Sequence, residues 1–336
     1  MTLVLFEPPP DVWDTFVLRH PQGNLLQLSS WGRLKSSSGW KVQRVAVAAE
    51  PGQNQDQDQN QSPASPPRAP GGSGGSPPLL AGAQVLFRSR YGLSIAYVPR
   101  GPLFAGSPDL DEALLTALRQ VARRRRAVCL RLEPAILEHA AEVSQADTCH
   151  TWLLLKGFQP VDPIQPRSSI HLDLSPPLDQ VFAGFRKGHR ADIRRAEREG
   201  VTVRVGNAGD IETFYAILHA TGKRAAFGIH SRAYYRLAQQ VFQERCCLLL
   251  GMQHDTAVAA HLVFADARAG LYLYSGATEA GLKTGANHLL QWHALQWAHQ
   301  RGCTHYDFWG IPDALGRAAT ATSEDQRLAL ETEAQR

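Results

Sequence analysis

Two tandem α/β domains with mixed sheets are what this sequence predicts, on three observations. A chain of 336 residues is long enough for two domains, at about 150 residues each with a core apiece. Strand and helix signals run through a similar order twice, with mixed strands wrapped around a few helices in each half. The composition, 43% hydrophobic and 20% charged, is that of an ordinary soluble globular protein. The expected boundaries are residues 1–160 and 161–313, with 314–336 as a frayed or helical tail.

In the first half, residues 2–20 read as a short strand and the start of a helix. LLQLSSWGRLKSSSGW then leads into the strand KVQRVAVAAE. Residues 51–78 are almost entirely Gln, Asn, Asp, Ser, Pro and Gly. Such a tract cannot bury apolar surface and is expected to be disordered. Strand alternation resumes in AQVLFRSRYGLSIAYVPRGP, so the tract reads as an expanded hairpin loop within the first domain. DLDEALLTALRQVARRRRA is an amphipathic helix capped by Ser107 or Asp109, and its closing arginines, Arg123–Arg126, suit the negative end of the macrodipole. AVCLRLEP is expected to be a buried strand ending at Pro134.

The second half opens with the strand SSIHLDL and a basic helix, FRKGHRADIRRAEREG, followed by the strand VTVRVG. With Arg204 this region carries seven cations (Arg186, Lys187, Arg190, Arg194, Arg195, Arg198, Arg204) against Asp192, Glu197 and Glu199. That surplus of four equals the formal net charge of the whole chain, +4. A local basic helix on a balanced protein points to a phosphate-bearing partner. Its bland counterpart is a solvated face laced by Arg194–Glu197 and Arg195–Glu199 pairs. The helices IETFYAILHATGKRA and SRAYYRLAQQVFQE follow, then the strands CCLLLGMQ, AVAAHLVFA and AGLYLYSGA. The helix ANHLLQWHALQWAHQRG, with Leu290, Ala294 and Trp297 on its core face, and the strand HYDFWGI complete the order.

No stretch approaches the roughly 18 apolar residues of a membrane span. The N-terminus MTLVLFEPPPDVWD lacks a basic n-region, which argues against a secretory signal. Five cysteines (Cys129, Cys149, Cys246, Cys247, Cys303) show no CxxC spacing, and Cys246 and Cys247 are expected to be core thiols. A reducing cytoplasm follows, with neither a disulfide framework nor a zinc site. His189 and His305 lie near motifs but show no Cys/His/acid partner at ligand spacing, so no metal is expected. The helix entrance Gly281–Asn287 superficially matches the phosphate turn of acyl-CoA acetyltransferases, though such small-residue turns are common. GxSxG, P-loop and HExxH patterns do not occur.

Several patches in order carry a resemblance: LSSWGRLKSSSGW (28–40), YVPRGP (97–102), the basic helix, TGKRAAFGIHSRAYY (221–235), LYLYSG (271–276) and HYDFWGI (305–311). Together they resemble the Fem-type (FemABX) peptidyltransferases, over most of residues 1–313. The resemblance implies two GNAT-like domains of the smaller type that lacks a coiled-coil arm. It implies transfer of an amino acid from aminoacyl-tRNA to the stem peptide of a peptidoglycan precursor. That precursor would be UDP-MurNAc-linked or lipid-linked, the tRNA a co-substrate, and no cofactor would be needed. The cytoplasm, at or near the inner membrane face with peripheral membrane contact, is the implied location.

Both substrates are polyanions, so cations are required. Lys35 matches the family's precursor-phosphate lysine and Tyr234 a tyrosine near the precursor. Tyr272 and Tyr274, two apart in a strand, are expected to share one face and line a groove. His230 stands where the family carries a phosphate-binding arginine, with Arg232 close by. Lys35, His230, Tyr234, Tyr272 and Tyr274 are expected to converge on one cleft. Arg186, Lys187, Arg190, Arg194 and Arg195 are the expected tRNA contacts. Where the family has an acid after its RGP turn stands Ala105, which leaves Asp109 and Asp111 nearby, and Asp109 and Asp307 are the candidate catalytic acids. Pro312–Arg336 has no aromatic residue and no lysine, whereas the family continues with an aromatic-Lys catalytic motif, so that segment reads as missing. An acyl-CoA-dependent N-acyltransferase and a non-catalytic precursor- or RNA-binding relative are the alternatives.

Overall fold

The computed structural model describes residues 2–49, 77–137 and 144–335. The tract expected to be disordered, 51–78, lies outside them except for Pro77 and Pro78. The chain divides into two compact units, Met1–Pro160 and Val161–Arg336.

Unit 1 runs β1 (Thr2–Phe6), α1 (Pro10–Arg19), a one-turn 3-10 helix (Leu25–Gln27), α2 (Ser29–Ser36), β2 (Lys41–Ala49), β3 (Leu79–Arg90), β4 (Leu93–Val98), α3 (Pro108–Arg124), β5 (Ala127–Leu132) and α4 (Ser144–Leu155). Its sheet has the order β1-β2-β3-β4-β5, antiparallel except for the parallel β4–β5 pair. β2 and β3 pair directly on either side of the Gln/Pro/Gly-rich tract, as a hairpin requires.

Both faces of this sheet are covered, so β3 is buried continuously over Ala81–Phe87 instead of following the alternation expected of AQVLFRSR. Ala81, Ala83, Val85 and Phe87 pack with Leu114, Leu115, Leu118 and Val121 of α3. The intervening positions meet the N-terminal helices, where Gln84 and Gln27 are fully buried. Gln27 accepts from the Gln84 N–H at 2.7 Å and donates to the Pro99 carbonyl at 2.6 Å. Gln84 in turn donates to the Leu28 carbonyl at 2.9 Å. Buried amides are tolerable because their hydrogen-bonding groups are paired in this way.

β5 departs from its expected burial: Val128 is 65% exposed and Cys129 is exposed. Among the described residues it is an edge strand, with β4 as its one sheet neighbour. α4 falls where no helix was expected.

Unit 2 runs β6 (Ser169–Asp173), α5 (Leu178–Ala183), α6 (Lys187–Arg198), β7 (Thr202–Val205), α7 (Ile211–Arg224), α8 (Arg232–Phe242), β8 (Cys246–Gln253), β9 (Thr256–Ala265), β10 (Ala269–Ala277), α9 (Glu279–Thr284), α10 (Ala286–Gln300) and β11 (His305–Gly310). Its sheet has the order β6-β11-β10-β9-β8-β7. β10 and β11 are parallel over Ala269–Leu271 and His305–Asp307; the other neighbours are antiparallel.

α6 and α10 cover one face through Ile193, Ala196, Leu290, Ala294 and Leu295. α7 and α8 cover the other, with Phe214 against Tyr235 and Phe242 against Phe264. Gly285, with φ +80, ends α9 and starts α10. A Cβ there would meet the Asp192 carbonyl oxygen at 2.8 Å, so a side chain would cost both strain and the α6–α10 approach.

Residues expected as a frayed or helical tail form α11 (Asp313–Ala319) and α12 (Glu324–Glu333). Ala314 and Ala318 are buried, and Arg317 meets Glu333 at 2.6 Å. No helix among the described residues is long and apolar enough to cross a membrane.

Candidate functional site

One aromatic cluster in unit 2 gathers three of the five expected precursor-binding residues. The Tyr234 and Tyr274 hydroxyls lie 3.2 Å apart. The His230 ring stacks on Tyr234 at 3.9 Å between centroids, with the planes 23° apart. Tyr235, which is not among the expected site residues, locks the cluster: its hydroxyl accepts from the His230 N–H at 3.1 Å and its ring meets Tyr274 at 5.1 Å. Ser231 caps α8 by accepting from the Tyr234 N–H, which fixes the turn between His230 and Tyr234.

Burial pushes the phenols of Tyr234 and Tyr235 up to about 12 and that of Tyr274 well above its ordinary value. All three therefore remain protonated hydrogen-bond donors at neutral pH. A groove of about 370 Å³ is lined by His219, Gly222 and Lys223 of α7 and by Ala226, Phe227 and Ile229 of the segment that leads to His230.

Tyr272 is not in this cluster, contrary to the expectation that it shares a face with Tyr274. β10 carries a bulge: Tyr272 stands opposite Val263, but Tyr274 stands opposite Leu262. The extra residue, Leu273, reverses the alternation, because side chains on a regular strand repeat every second residue. Tyr272 therefore points to the α10 face, where its ring lies 5.1 Å from that of His261.

His261 is fully buried and its Nε2 lies 3.3 Å from Asn287 Oδ1 at the start of α10. Burial holds its pKa down at about 4, so the ring is neutral. Its Nδ1 and the Gln291 Nε2 have no hydrogen-bond partner among the described residues. The expected groove is thus two polar clusters on opposite faces of one sheet.

Lys35 belongs to unit 1, in the last turn of α2. Its Nζ lies 4.6 Å from the Trp31 ring centroid, and burial lowers its pKa to about 8. Such a lysine changes charge close to physiological pH.

The basic helix α6 divides its cations. Arg186, Lys187 and Arg194 are exposed. Arg190 donates to the Ala183 carbonyl, and Arg195 pairs with Asp192 at 2.9 Å. The helix-face pairs expected, Arg194–Glu197 and Arg195–Glu199, are replaced by this (i, i+3) contact. Arg232, near the position of the family arginine, is held 2.8 Å from Glu212, whereas His230 stacks within the cluster.

The two candidate acids differ sharply. Asp109 is exposed in the first turn of α3. The acid that reaches the loop after the RGP turn is Asp111, which accepts from the Ala105 and Gly106 N–H groups at 2.7 and 3.1 Å. Burial raises its pKa, against the lowering effect of those two bonds. Asp111 thus sets a carboxylate beside the position where the sequence carries Ala105.

Asp307 lies where β10 and β11 stop pairing. Burial would raise its pKa, but His171, Ser169 and the Trp309 N–H outweigh that and hold it below its ordinary value. With those partners in place it is a charged anchor of the strand end. Near His189, contrary to the expectation of no ligand partner, Asp192 and His288 bring one ligand atom each within 4.8 Å. Asp192 is paired there with Arg195 at 2.9 Å.

Comparison with known proteins places these features in a family. The FemAB family model matches residues 10–254 and 251–319. A lipid II:glycine glycyltransferase of Staphylococcus saprophyticus is 26% identical over 228 residues, covering 66% of this chain and 49% of that protein. Its Staphylococcus aureus counterpart is 25% identical, covering 66% and 48%. The matched region thus spans about half the length of these curated relatives. Among solved structures, FemX superposes with a TM-score of 0.75 at 19% identity, over 93% of this chain and 89% of that one. A conserved Bacteroides thetaiotaomicron protein of unknown function gives 0.56 at 11% identity, over 98% and 94%. The family model covers most of the chain and the FemX fold accounts for both of its mixed sheets; this chain belongs to the FemAB family.

Proposed function

We propose that this protein is an aminoacyltransferase that adds an amino acid from aminoacyl-tRNA to the stem peptide of a lipid-linked peptidoglycan precursor, in interpeptide bridge formation. The observation that carries the reading is the Tyr234–Tyr274–His230 cluster in a chain whose matched relatives are named as lipid II:glycine glycyltransferases.

The reaction is aminolysis. The acceptor amine attacks the aminoacyl ester carbon, a tetrahedral oxyanion forms, and the ribose hydroxyl leaves as the amine proton is lost. Donors near the carbonyl and a proton acceptor near the amine are what this requires. Tyr234 and Tyr274 stay protonated, so they meet a bound carbonyl or sugar as neutral phenol hydroxyls and not as phenolates. Lys35 supplies a cation for a precursor phosphate, and the exposed face of α6 supplies Arg186, Lys187 and Arg194 for the RNA backbone. Asp111, held in the loop after the RGP turn, is the candidate acid there; Asp109 is exposed.

The test follows the ester bond. Loss of labelled amino acid from charged tRNA is timed with and without the lipid-linked precursor. Acceleration that depends on precursor supports the reading. Acetyl-CoA turnover, or precursor binding with no ester loss, contradicts it in favour of an N-acyltransferase or a non-catalytic relative.

A further inference from the structure

One end of the unit 1 sheet carries a rim of cations that the transfer chemistry leaves unused. The β3–β4 hairpin tip presents Arg88, Arg90, Tyr91 and Leu93, and α3 ends beside it with Arg123–Arg126. The two segments are tied together: Ser94 donates from Oγ to the Arg125 carbonyl at 2.6 Å and from its N–H to the Arg126 carbonyl at 3.0 Å. Lys41 opens β2 at the same end, opposite Phe87. These seven cationic side chains are all exposed. Residues 36–41, 87–95 and 119–128 contain no Asp or Glu. Glu7, next to Phe6 of β1, is already paired with Arg44.

The macrodipole accounts for Arg123 and Arg124 in the last turn of α3, but not for Arg88, Arg90 or Lys41. Nor does it account for the apolar groups among them. Tyr91 is 88% exposed at the hairpin tip and Leu93 54%. Cross-strand pairing sets Arg90 opposite Leu93 and Arg88 opposite Ile95, so cations and aliphatic groups share one outward face. Arg90 lies over the Tyr91 ring at 4.9 Å. A groove of about 410 Å³ lined by Thr116, Arg119, Gln120, Arg123 and Arg124 extends along α3 from the rim.

We infer that this rim, built from the β3–β4 tip and the C-terminal end of α3, docks onto an anionic phospholipid surface. Cations draw the protein to negative headgroups, each strengthening attachment about five-fold. Tyr91 and Leu93 then enter the headgroup layer, the second signal that stable peripheral binding requires. RNA would suit the cations, but it gives no account of exposed aliphatic side chains on the same face. The inference deepens the lipid-linked acceptor reading, since a surface-docked enzyme meets such an acceptor where it resides.

The test is flotation of the full chain with phosphatidylcholine vesicles and with phosphatidylcholine–phosphatidylglycerol vesicles. The expected result is binding to the anionic vesicles alone, weakened by salt. Arg90→Gln/Arg123→Gln/Arg124→Gln should lower that binding at least ten-fold. Tyr91→Ser/Leu93→Ser should lower it separately, and both variants should keep the wild-type melting temperature. Equal binding to neutral vesicles, or unchanged binding by both variants, overturns the proposal. So does a loss of tRNA affinity in the arginine variant where the wild type ignores vesicles. If vesicles bind but precursor never accelerates ester loss, the docking surface stands and the functional reading falls. If a lipid-free acceptor is modified and vesicles do not bind, the reverse holds.

Discussion

Tyr234 on α8 and Tyr274 on β10, 40 residues apart in sequence, place their hydroxyls 3.2 Å from each other. This contact exists because a bulge in β10 turns Tyr274 to the α7/α8 face while Tyr272 keeps to the α10 face. The two phenols act as a unit, so their removal should not be additive. Tyr234→Phe and Tyr274→Phe should each cost about 1 kcal/mol of stability, since each strands a partly buried hydroxyl. The double variant should cost clearly less than their sum. Urea denaturation of the four proteins checks this, and strict additivity would show the contact to be energetically empty.

Lys35 gives a pH signature. With its pKa lowered to about 8 by burial, its ammonium disappears as pH rises through that region. Precursor affinity should therefore fall between neutral and mildly alkaline pH. Lys35→Arg keeps its charge throughout and should remove the dependence, though a guanidinium is not an isostere. Calorimetric titration of the UDP-linked precursor across this range reads the effect; a flat wild-type profile excludes Lys35 as the phosphate contact.

The cations of α6 should not be equivalent toward RNA. Arg186→Gln, Lys187→Gln and Arg194→Gln should each reduce the slope of log affinity against log salt by about 0.7 to 0.9. Arg195→Gln should change it less, because Asp192 already holds that guanidinium at 2.9 Å. Filter binding of tRNA at several salt concentrations distinguishes them. Equal slopes in all four variants would mark the helix as a solvated face.

His261 links pH to stability. Its ring is fully buried and titrates near 4 when folded, against about 6.5 unfolded. Between those values the unfolded chain binds the extra proton, so stability falls as pH drops from about 6.5 toward 4, by an amount on the order of 3 kcal/mol. His261→Gln should flatten that slope. Melting temperatures measured at intervals across this window provide the check.

Element identity was legible in the sequence wherever one periodicity dominated. The apolar runs of β8 and β9 and the amphipathic α3 are readable because burial there is continuous or strictly helical. The errors arose where a single residue changed the geometry. Leu273 is invisible as a bulge in the alternating string LYLYSG, so alternation alone puts Tyr272 and Tyr274 on one face. Arg195 has acids both three residues before it and four after it, and helical spacing alone does not choose between them; the fold selects Asp192, beside His288 of α10. Asp109 and Asp111 both lie in the first turn of α3, and spacing alone does not say that Asp111 is the one that reaches back to the preceding loop. β5 looked buried because its composition is apolar, yet its place at the sheet edge follows from topology, which composition does not encode. Tyr235 was hidden by its neighbour: two adjacent tyrosines on α8 offer no sequence signal for which one caps His230.

The most direct measurement of the central claim is the mass of the acceptor after incubation with charged tRNA. The account predicts that the stem peptide of the lipid-linked precursor gains the mass of one aminoacyl residue, only when the tRNA is charged, and at a lower rate with Tyr234→Phe/Tyr274→Phe. An acceptor of unchanged mass, under conditions where both charged tRNA and precursor are bound, would contradict it.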